Sequence, residues 1–468
     1  MIADLKPYPT YRPAEGKWLG EIPSHWTVRR MKYVVRETDS RSSSGKEQLL
    51  RISQYTGVTQ RSRADGLDEP DTRADSLVGY KRVEPNDLVI NIMLAWNGSM
   101  GVSRYSGIAS PAYCVYRFGC DVHPWYCHNL LRSPAYKARI KASSTGVVES
   151  RLRLYSDDLG RIEAILPSPD EQAAIVRFLD WANGRLERAI RAKRKVIALL
   201  GEQKQAIIHR AVTRGLDPSV PLKPSGIPWL GDIPQHWETR PIKHWTKVNV
   251  RTLGQSTNHE FEFRYIDIST VRTGYLVRAP ELMPFAKAPS RARRVLVAGD
   301  TIVSTVRTYL KAVWFVGQEA ENLIASTGFA VFSPNPELEP EYLHHVLQDA
   351  SFVDQVTANS IGVAYPGIAE TVLARFRVAI PPSRNEQRDV IAAIKKQTQP
   401  LTVAISRLER EIELLREYRT RLVADVVTGK LDVREAAAGL PDEAPLDSIE
   451  DDAELGDETE TADEEAAV

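Results

Sequence analysis

The sequence predicts an α+β protein. Two homologous mixed α/β modules are separated by two long helices that pair as an antiparallel coiled coil, giving a pseudo-twofold internal repeat. Three observations predict this: self-similarity at about 210 residues, two heptad-patterned segments, and short β-rich runs punctuated by Gly and Pro between them.

The repeat is direct. Trp18-Leu19-Gly20-Glu21-Ile22-Pro23-Ser24-His25-Trp26 returns as Trp229-Leu230-Gly231-Asp232-Ile233-Pro234-Gln235-His236-Trp237, and nine of fifteen positions from Trp18 to Lys32 are identical at an offset of 211. Ile165-Leu166-Pro167-Ser168 with Glu171-Gln172 matches Ile380-Pro381-Pro382-Ser383 with Glu386-Gln387 at an offset of 215, as Thr213, Leu216 and Asp217 match Thr428, Leu431 and Asp432. The chain divides into a first module 1–166, a first long helix 167–214, a second module 215–381, a second long helix 382–435 and a disordered acidic tail 436–468.

Within the modules, Leu88–Met93 and Thr301–Val306 occupy equivalent places and read as strands. Ile108–Ser110 and Ile324–Ser326 open a second matched strand region. Pro124 and Pro340 start matched helices, because proline suits a first helical turn. The loops between these elements differ in sequence and length, which is how one scaffold carries two binding specificities.

In the second long helix Leu401, Ile405, Leu408, Ile412, Leu415, Arg419 and Leu422 alternate at spacings of four and three. The matching positions in the first are Leu186, Ile190, Lys193, Ile197, Leu200, Lys204 and Ile207. The pairing residues expected from this seam are Leu186, Ile190, Ile197, Leu200, Ile207, Leu401, Ile405, Leu408, Ile412, Leu415 and Leu422. Each helix would span roughly 60 Å, and Pro400 could kink or restart the second. Arg12-Pro13-Ala14 before Trp18 echoes Lys223-Pro224-Ser225 before Trp229, so the repeat is circular. The end of the second helix can meet the start of the chain in space.

Composition narrows the class. Apolar residues are 43% and charged residues 26% of the 468, a balance with ample core. No apolar run of eighteen or more suggests a membrane span, and the first ten residues lack the features of a secretory signal. Three cysteines, Cys114, Cys120 and Cys127, form no disulfide framework, so a cytoplasmic location is expected. The net charge of zero conceals an asymmetry: thirteen acidic and no basic residues lie between Pro441 and Val468. The rest carries 61 basic against 48 acidic side chains, about +13, which suits a polyanion partner.

Motifs for chemistry are missing. There is no G-x-x-x-x-G-K-[ST] loop, no G-x-G-x-x-G after a strand, no H-E-x-x-H and no Asn-Pro-Pro-aromatic stretch, so no catalytic site is assigned. Cys114, Cys120, His123 and Cys127 offer zinc-type ligands, but the matched positions are Ala330, Pro336, Glu339 and Leu343. No metal is assigned, and three buried, inert thiols are expected. His25 and His236 read as structural, with no partner carboxylate evident at matched positions.

These paired W-L-G-x-I-P-x-H-W segments, the paired P-S-x-x-E-Q segments opening long helices, and the two variable modules resemble the specificity subunit of type I restriction-modification systems. The likeness covers about residues 12 to 435. It implies a non-catalytic reader of double-stranded DNA whose modules are two target recognition domains, each reading half of a bipartite sequence. It also implies helices that dock two methyltransferase subunits, with motor-nuclease subunits joining a larger complex. S-adenosylmethionine, ATP and magnesium would then sit on those partners, with no cofactor on this chain. A DNA-targeting subunit of another modification or defence complex and a non-catalytic coiled-coil scaffold are the alternatives.

DNA contacts are expected where strands exit into loops, since phosphates take Lys and Arg and base edges take Arg, Asn, Gln, Ser or Thr. In the first module these are Gln54, Tyr55, Thr59, Gln60, Arg61 and Arg63, then Trp96, Asn97 and Ser99. In the second they are Ser269, Thr270, Arg272 and Thr273, then Arg307, Tyr309 and Lys311. Ser144, Thr145 and Arg151, with Ser360 and Tyr365, form a third pair of loops.

Overall fold

Helix start signals and helix stop signals place the two long helices. In the computed structural model, which describes residues 5–16, 18–61, 74, 76–148, 151–227, 229–317, 321–362 and 366–441, they run Pro169–Arg214 and Arg384–Val427. Ser168 precedes the first and its hydroxyl accepts the Glu171 N–H at 3.3 Å, an N-cap with proline next to it. The first helix gives way to Gly215 (φ +70°); Thr428 and then Gly429 (φ +77°) follow the second, and both glycines hold left-handed backbone. Glycine is required at 429, because a Cβ there would lie 2.4 Å from the Pro23 ring. Pro400 lies inside an unbroken helix, so it does not restart it.

The chain forms two compact units, one using the chain up to Ala192 and again from Glu411, the other the stretch Lys193–Arg410. Each unit therefore contains the first half of one long helix and the second half of the other. In the first unit, Glu171 at the start of one helix and Gly429 just after the other both touch Trp26. Arg419, earlier in the second helix, pairs with Glu187, later in the first, at 3.0 Å. The halves run antiparallel. In the second unit Ile208, Ala211 and Val212 share a core with Val390, Ile391 and Ile394. Of the seam residues, Leu186, Ile190, Ile412 and Leu422 are buried; Ile197, Leu200, Ile207, Leu401, Ile405, Leu408 and Leu415 are half-buried.

Each unit carries the same four-stranded antiparallel sheet. Its order is Val35–Thr38, Tyr113–Phe118, Leu88–Asn91, Met100–Val102 in the first, and Thr246–Val248, Phe329–Pro334, Thr301–Ser304, Val313–Phe315 in the second. In the second unit another four-stranded sheet pairs Glu262–Ile266 with Leu323–Ser326 in parallel. In the first unit that place is held by the hairpin Leu50–Ser53 with Gly57–Gln60 and the antiparallel pair Lys81–Val83 with Gly107–Ala109, joined by the parallel bridge Leu49–Ile108. Thr27–Arg30 with Glu163–Leu166, and Glu238–Pro241 with Arg377–Ile380, close each module onto its helices.

Two expected strands end early. Leu88–Met93 stops at Asn91, whose side-chain oxygen takes the Met93 N–H at 3.1 Å and turns the chain. Thr301–Val306 stops at Ser304, whose hydroxyl bonds the Val306 carbonyl. Residues expected in the acidic tail are ordered up to Leu440: Arg434–Ala438 is helical with Ala437 buried, and Arg177 donates to the Leu440 carbonyl at 2.9 Å. Residues 442–468 lie outside those described.

The fully buried Trp26 and Trp237 anchor the cores, and truncating either to Ala costs about 3–5 kcal/mol. The repeated motifs meet on them. Glu171 accepts the Trp26 indole N–H at 3.1 Å and faces His25 at 2.9 Å; Glu386 accepts from Trp237 at 2.8 Å and faces His236 at 3.0 Å. The expectation of no carboxylate partner for these histidines is thus corrected, since each partner lies about 150 residues further on. Gln172 accepts the His123 N–H at 2.7 Å, and Gln387 that of Glu339 at 2.8 Å. Those two residues immediately precede the helices Pro124–Leu131 and Pro340–Leu347.

The first unit closes across the chain: the Asp432 N–H donates to the Lys6 carbonyl at 2.8 Å and the Tyr11 hydroxyl to the Gly429 carbonyl at 3.0 Å. The thiols differ from expectation, with Cys127 buried, Cys114 half-buried on its strand and Cys120 exposed. Burial raises the Cys114 thiol and pushes that of Cys127 up to about 12. Among the described residues no helix is long and apolar enough to cross a membrane, and no group of three metal-ligating side chains occurs.

Candidate nucleic-acid interface

In the first unit the expected loops are drawn together by a side chain outside the expected set. Gln54 and Tyr55 form the turn between Leu50–Ser53 and Gly57–Gln60, with Tyr55 56% exposed. Arg132, the residue closing the helix Pro124–Leu131, reaches that turn and the next loop at once. Its guanidinium donates to the carbonyls of Tyr55 (2.8 Å), Gln54 (3.0 Å), Met100 (2.6 Å) and Gly98 (3.1 Å). Burial lowers it to about 10.

Trp96 and Asn97 lie on the 3-10 turn Ala95–Asn97 beside this latch. The Lys141 ammonium sits 5.2 Å from the Trp96 ring centre, a cation–π contact. The third loop joins them: Leu154 donates its N–H to the Ile92 carbonyl at 2.9 Å, and Thr145 bridges to Arg153. Thr145 and Arg151 are exposed and Ser144 half-buried, its hydroxyl on the Ile140 carbonyl.

Thr59, Gln60 and Arg61 sit at the other end of their strand, away from the Tyr55 turn, where Gln60 pairs with Leu50 and the Arg61 N–H donates to Leu49. Arg63 lies outside the described residues. Ser99 is buried, tied to the Asn97 side chain at 3.0 Å, so it closes a turn instead of facing a ligand.

In the second unit the matched turn is Thr308–Leu310, with Tyr309 51% exposed. Arg307 and Lys311 flank it in left-handed backbone (φ 51° and 49°), and both side chains are exposed. Thr273 donates its hydroxyl to the Lys311 carbonyl at 2.5 Å, and Thr308 donates to Ser360 at 2.7 Å. Arg272, Thr273, Tyr309, Lys311 and Ser360 therefore form one cluster. Asp354 pairs with Lys311 at 2.8 Å. Ser269 is exposed one turn away, its N–H held by Asp267 at 3.2 Å, while Thr270 is buried with its hydroxyl on the Asp267 carbonyl. Arg291, paired to Asp267 at 2.8 Å, braces that turn beside a cleft of about 270 Å³. Tyr365 lies outside the described residues.

Arg132, Lys141, Asp267 and Arg291 were not singled out from sequence. The repeat itself carried a signal for Arg132, which follows a matched helix at the position of Gln348.

Chemically, both clusters set an exposed tyrosine beside exposed basic side chains, Arg151 and Lys141 in the first and Arg307 and Lys311 in the second, a set suited to phosphates and base edges, while the Arg132 donors face inward. No family model matches the chain. Over 184 residues, 37% of its length, it is 22% identical to the type I restriction enzyme HindI specificity subunit of Haemophilus influenzae. It spans only 40% of that relative's length. Its fold matches, with a TM-score of 0.59, a chain from a structure of complex assembly and conformational transition of the type I R-M system, covering 88% of this chain and 99% of that one at 16% identity. The chain is thus similar in part of its sequence to a type I specificity subunit and shares the fold of a chain from a type I R-M system. The HsdS subunit from Thermoanaerobacter tengcongensis is likewise 16% identical, with 88% of this chain and 98% of that one covered and a TM-score of 0.39.

Proposed function

We infer that the chain is the non-catalytic DNA-specificity subunit of a type I restriction-modification complex, each unit reading one half of a bipartite target. The observation that carries this is one scaffold bearing two unlike recognition clusters. Turn, flanking loop and post-helix residue recur at matched places, but the side chains offered are Gln54, Tyr55 and Trp96 in one and Arg272, Thr273 and Tyr309 in the other. Reading different bases needs different donors and acceptors on a common frame. The long helices hold the recognition modules and offer docking surfaces to two methyltransferase subunits, with motor-nuclease subunits joining them. S-adenosylmethionine, ATP and magnesium belong to those partners.

Methylation mapping in a host carrying this chain with its methyltransferase tests the reading. The expected product is one motif of two fixed blocks separated by an unspecified spacer. Methylation at a single continuous motif, or at no motif, would overturn it.

A further inference from the structure

Arg132 lies against the loops expected to contact DNA, yet its donors are spent inward. Its two terminal nitrogens face the carbonyls of Ser53 (3.4 Å), Gln54, Tyr55, Gly98 and Met100. A guanidinium carries five N–H donors in a fixed fork, so a carbonyl nest of this kind leaves little for a phosphate. The hairpin it holds is also packed from below. The His128 ring lies under Gly57 and Gly101, where a Cβ would approach it to 3.3 and 3.2 Å, and its Nδ1 accepts the Val102 N–H at 3.1 Å. Burial depresses the His128 pKa, which keeps the ring neutral and able to accept.

The second unit repeats the placement with other chemistry. Gln348 closes the helix Pro340–Leu347 as Arg132 closes Pro124–Leu131. Its amide oxygen faces Gly274 so closely that a Cβ there would lie 3.1 Å away, and its amide nitrogen meets His345 Nδ1 at 2.7 Å. Gly274 is in the turn between Val271–Arg272 and Tyr275–Leu276, next to Arg272 and Thr273.

We propose that the residue closing this helix is the positioning residue for each recognition hairpin: Arg132 fixes the Gln54–Tyr55 turn against the Gly98–Met100 loop, and Gln348 fixes the Arg272–Thr273 turn. This rests on the DNA-reading function inferred above. Arg132 acts through the turn it holds and does not touch DNA itself.

The test uses the full-length chain in complex with its methyltransferase, as wild type and as the Arg132→Gln, Arg132→Lys and Gln348→Ala variants, and selection from a pool of randomised duplexes. Wild type selects two blocks. Arg132→Gln relaxes base preference in one block by about ten-fold or more and leaves the other block and the spacer unchanged. Arg132→Lys, which keeps the charge but loses the fork, relaxes the same block, and Gln348→Ala relaxes the other. The salt dependence of binding to the wild-type selected duplex separates positioning from contact. Its log–log slope stays at the wild-type value in Arg132→Gln, whereas loss of a phosphate contact reduces it by about 0.9.

Amide hydrogen exchange without DNA covers a variant that binds poorly: protection falls at 54–56 and 99–102 only. Loss of both blocks alike, no change in either block, a reduced salt slope, or exchange raised throughout the unit would each overturn the proposal. If wild type selects no sequence at all, the DNA-reading function fails and this inference falls with it. If wild type selects two blocks and Arg132→Gln changes neither, the positioning role alone fails.

Discussion

Glu171 and Glu386 each accept a bond from a buried indole and face a histidine, but their side chains are 4% and 30% exposed. Removing an acceptor from a buried donor costs about 1–3 kcal/mol, and less where water can reach it. Glu171→Ala should therefore lower the denaturant midpoint clearly more than Glu386→Ala; equal losses in chemical denaturation would contradict the difference in burial. His209 supplies a pH-dependent counterpart. Its hydrogen bond and ion pair with Asp349 at 3.1 Å raise its pKa above 6.5, against the opposing effect of burial. A folded pKa above the unfolded one gives stability that is complete below about 6.5 and is lost as pH rises through the raised folded value. The thermal midpoint of the wild type should fall across that window more than the midpoint of His209→Gln does. Parallel pH profiles for the two chains would show that the pair contributes nothing.

Pro400 breaks a rule at the scale of the element. It sits inside the continuous helix Arg384–Val427, where it removes a backbone donor and crowds the carbonyl four residues back. Pro400→Ala should stabilise the chain by up to about 3 kcal/mol, seen as a higher unfolding midpoint with unchanged helicity. A lower midpoint would mean that the ring packs in a way alanine cannot replace. The long helices were legible in the sequence because heptads and the P-S-x-x-E-Q segments are local signals, but the second, expected to run to residue 435, ends at Val427 ahead of the left-handed Gly429. Also legible were the Trp-Leu-Gly and Glu-Gln segments, since one buried network needs the same side chains in both copies. The candidate interface was legible only as loops. Asn91 ends a strand by a side-chain bond that apolar patterning does not show, and Ser99 and Thr270 are inward-facing members of polar runs. Arg132 is a latch only because Gln54 and Gly98, 78 and 34 residues earlier, fold against it.

The whole molecule pairs a basic body with a strongly acidic segment at 442–468. On the DNA-reading proposal, the affinity of the complex should fall steeply with salt, each neutralised phosphate adding about −0.9 to the log–log slope. Deleting 442–468 should leave the selected sequence unchanged, which competition binding across a salt series would check. Chain duplication supplies the most direct test, because the modules join the frame at matched bonds: the Met31 N–H to the Ile162 carbonyl at 2.8 Å, and the Ile242 N–H to the Phe376 carbonyl at 2.9 Å. A chain in which 31–162 is replaced by a second copy of 242–376 keeps both junctions. Two independent readers in one chain predict that this graft, presented with randomised duplexes, selects a site whose two blocks both carry the sequence read by the second unit. A graft that folds and still selects the original first block, or a new sequence in both blocks, would contradict one reader per unit.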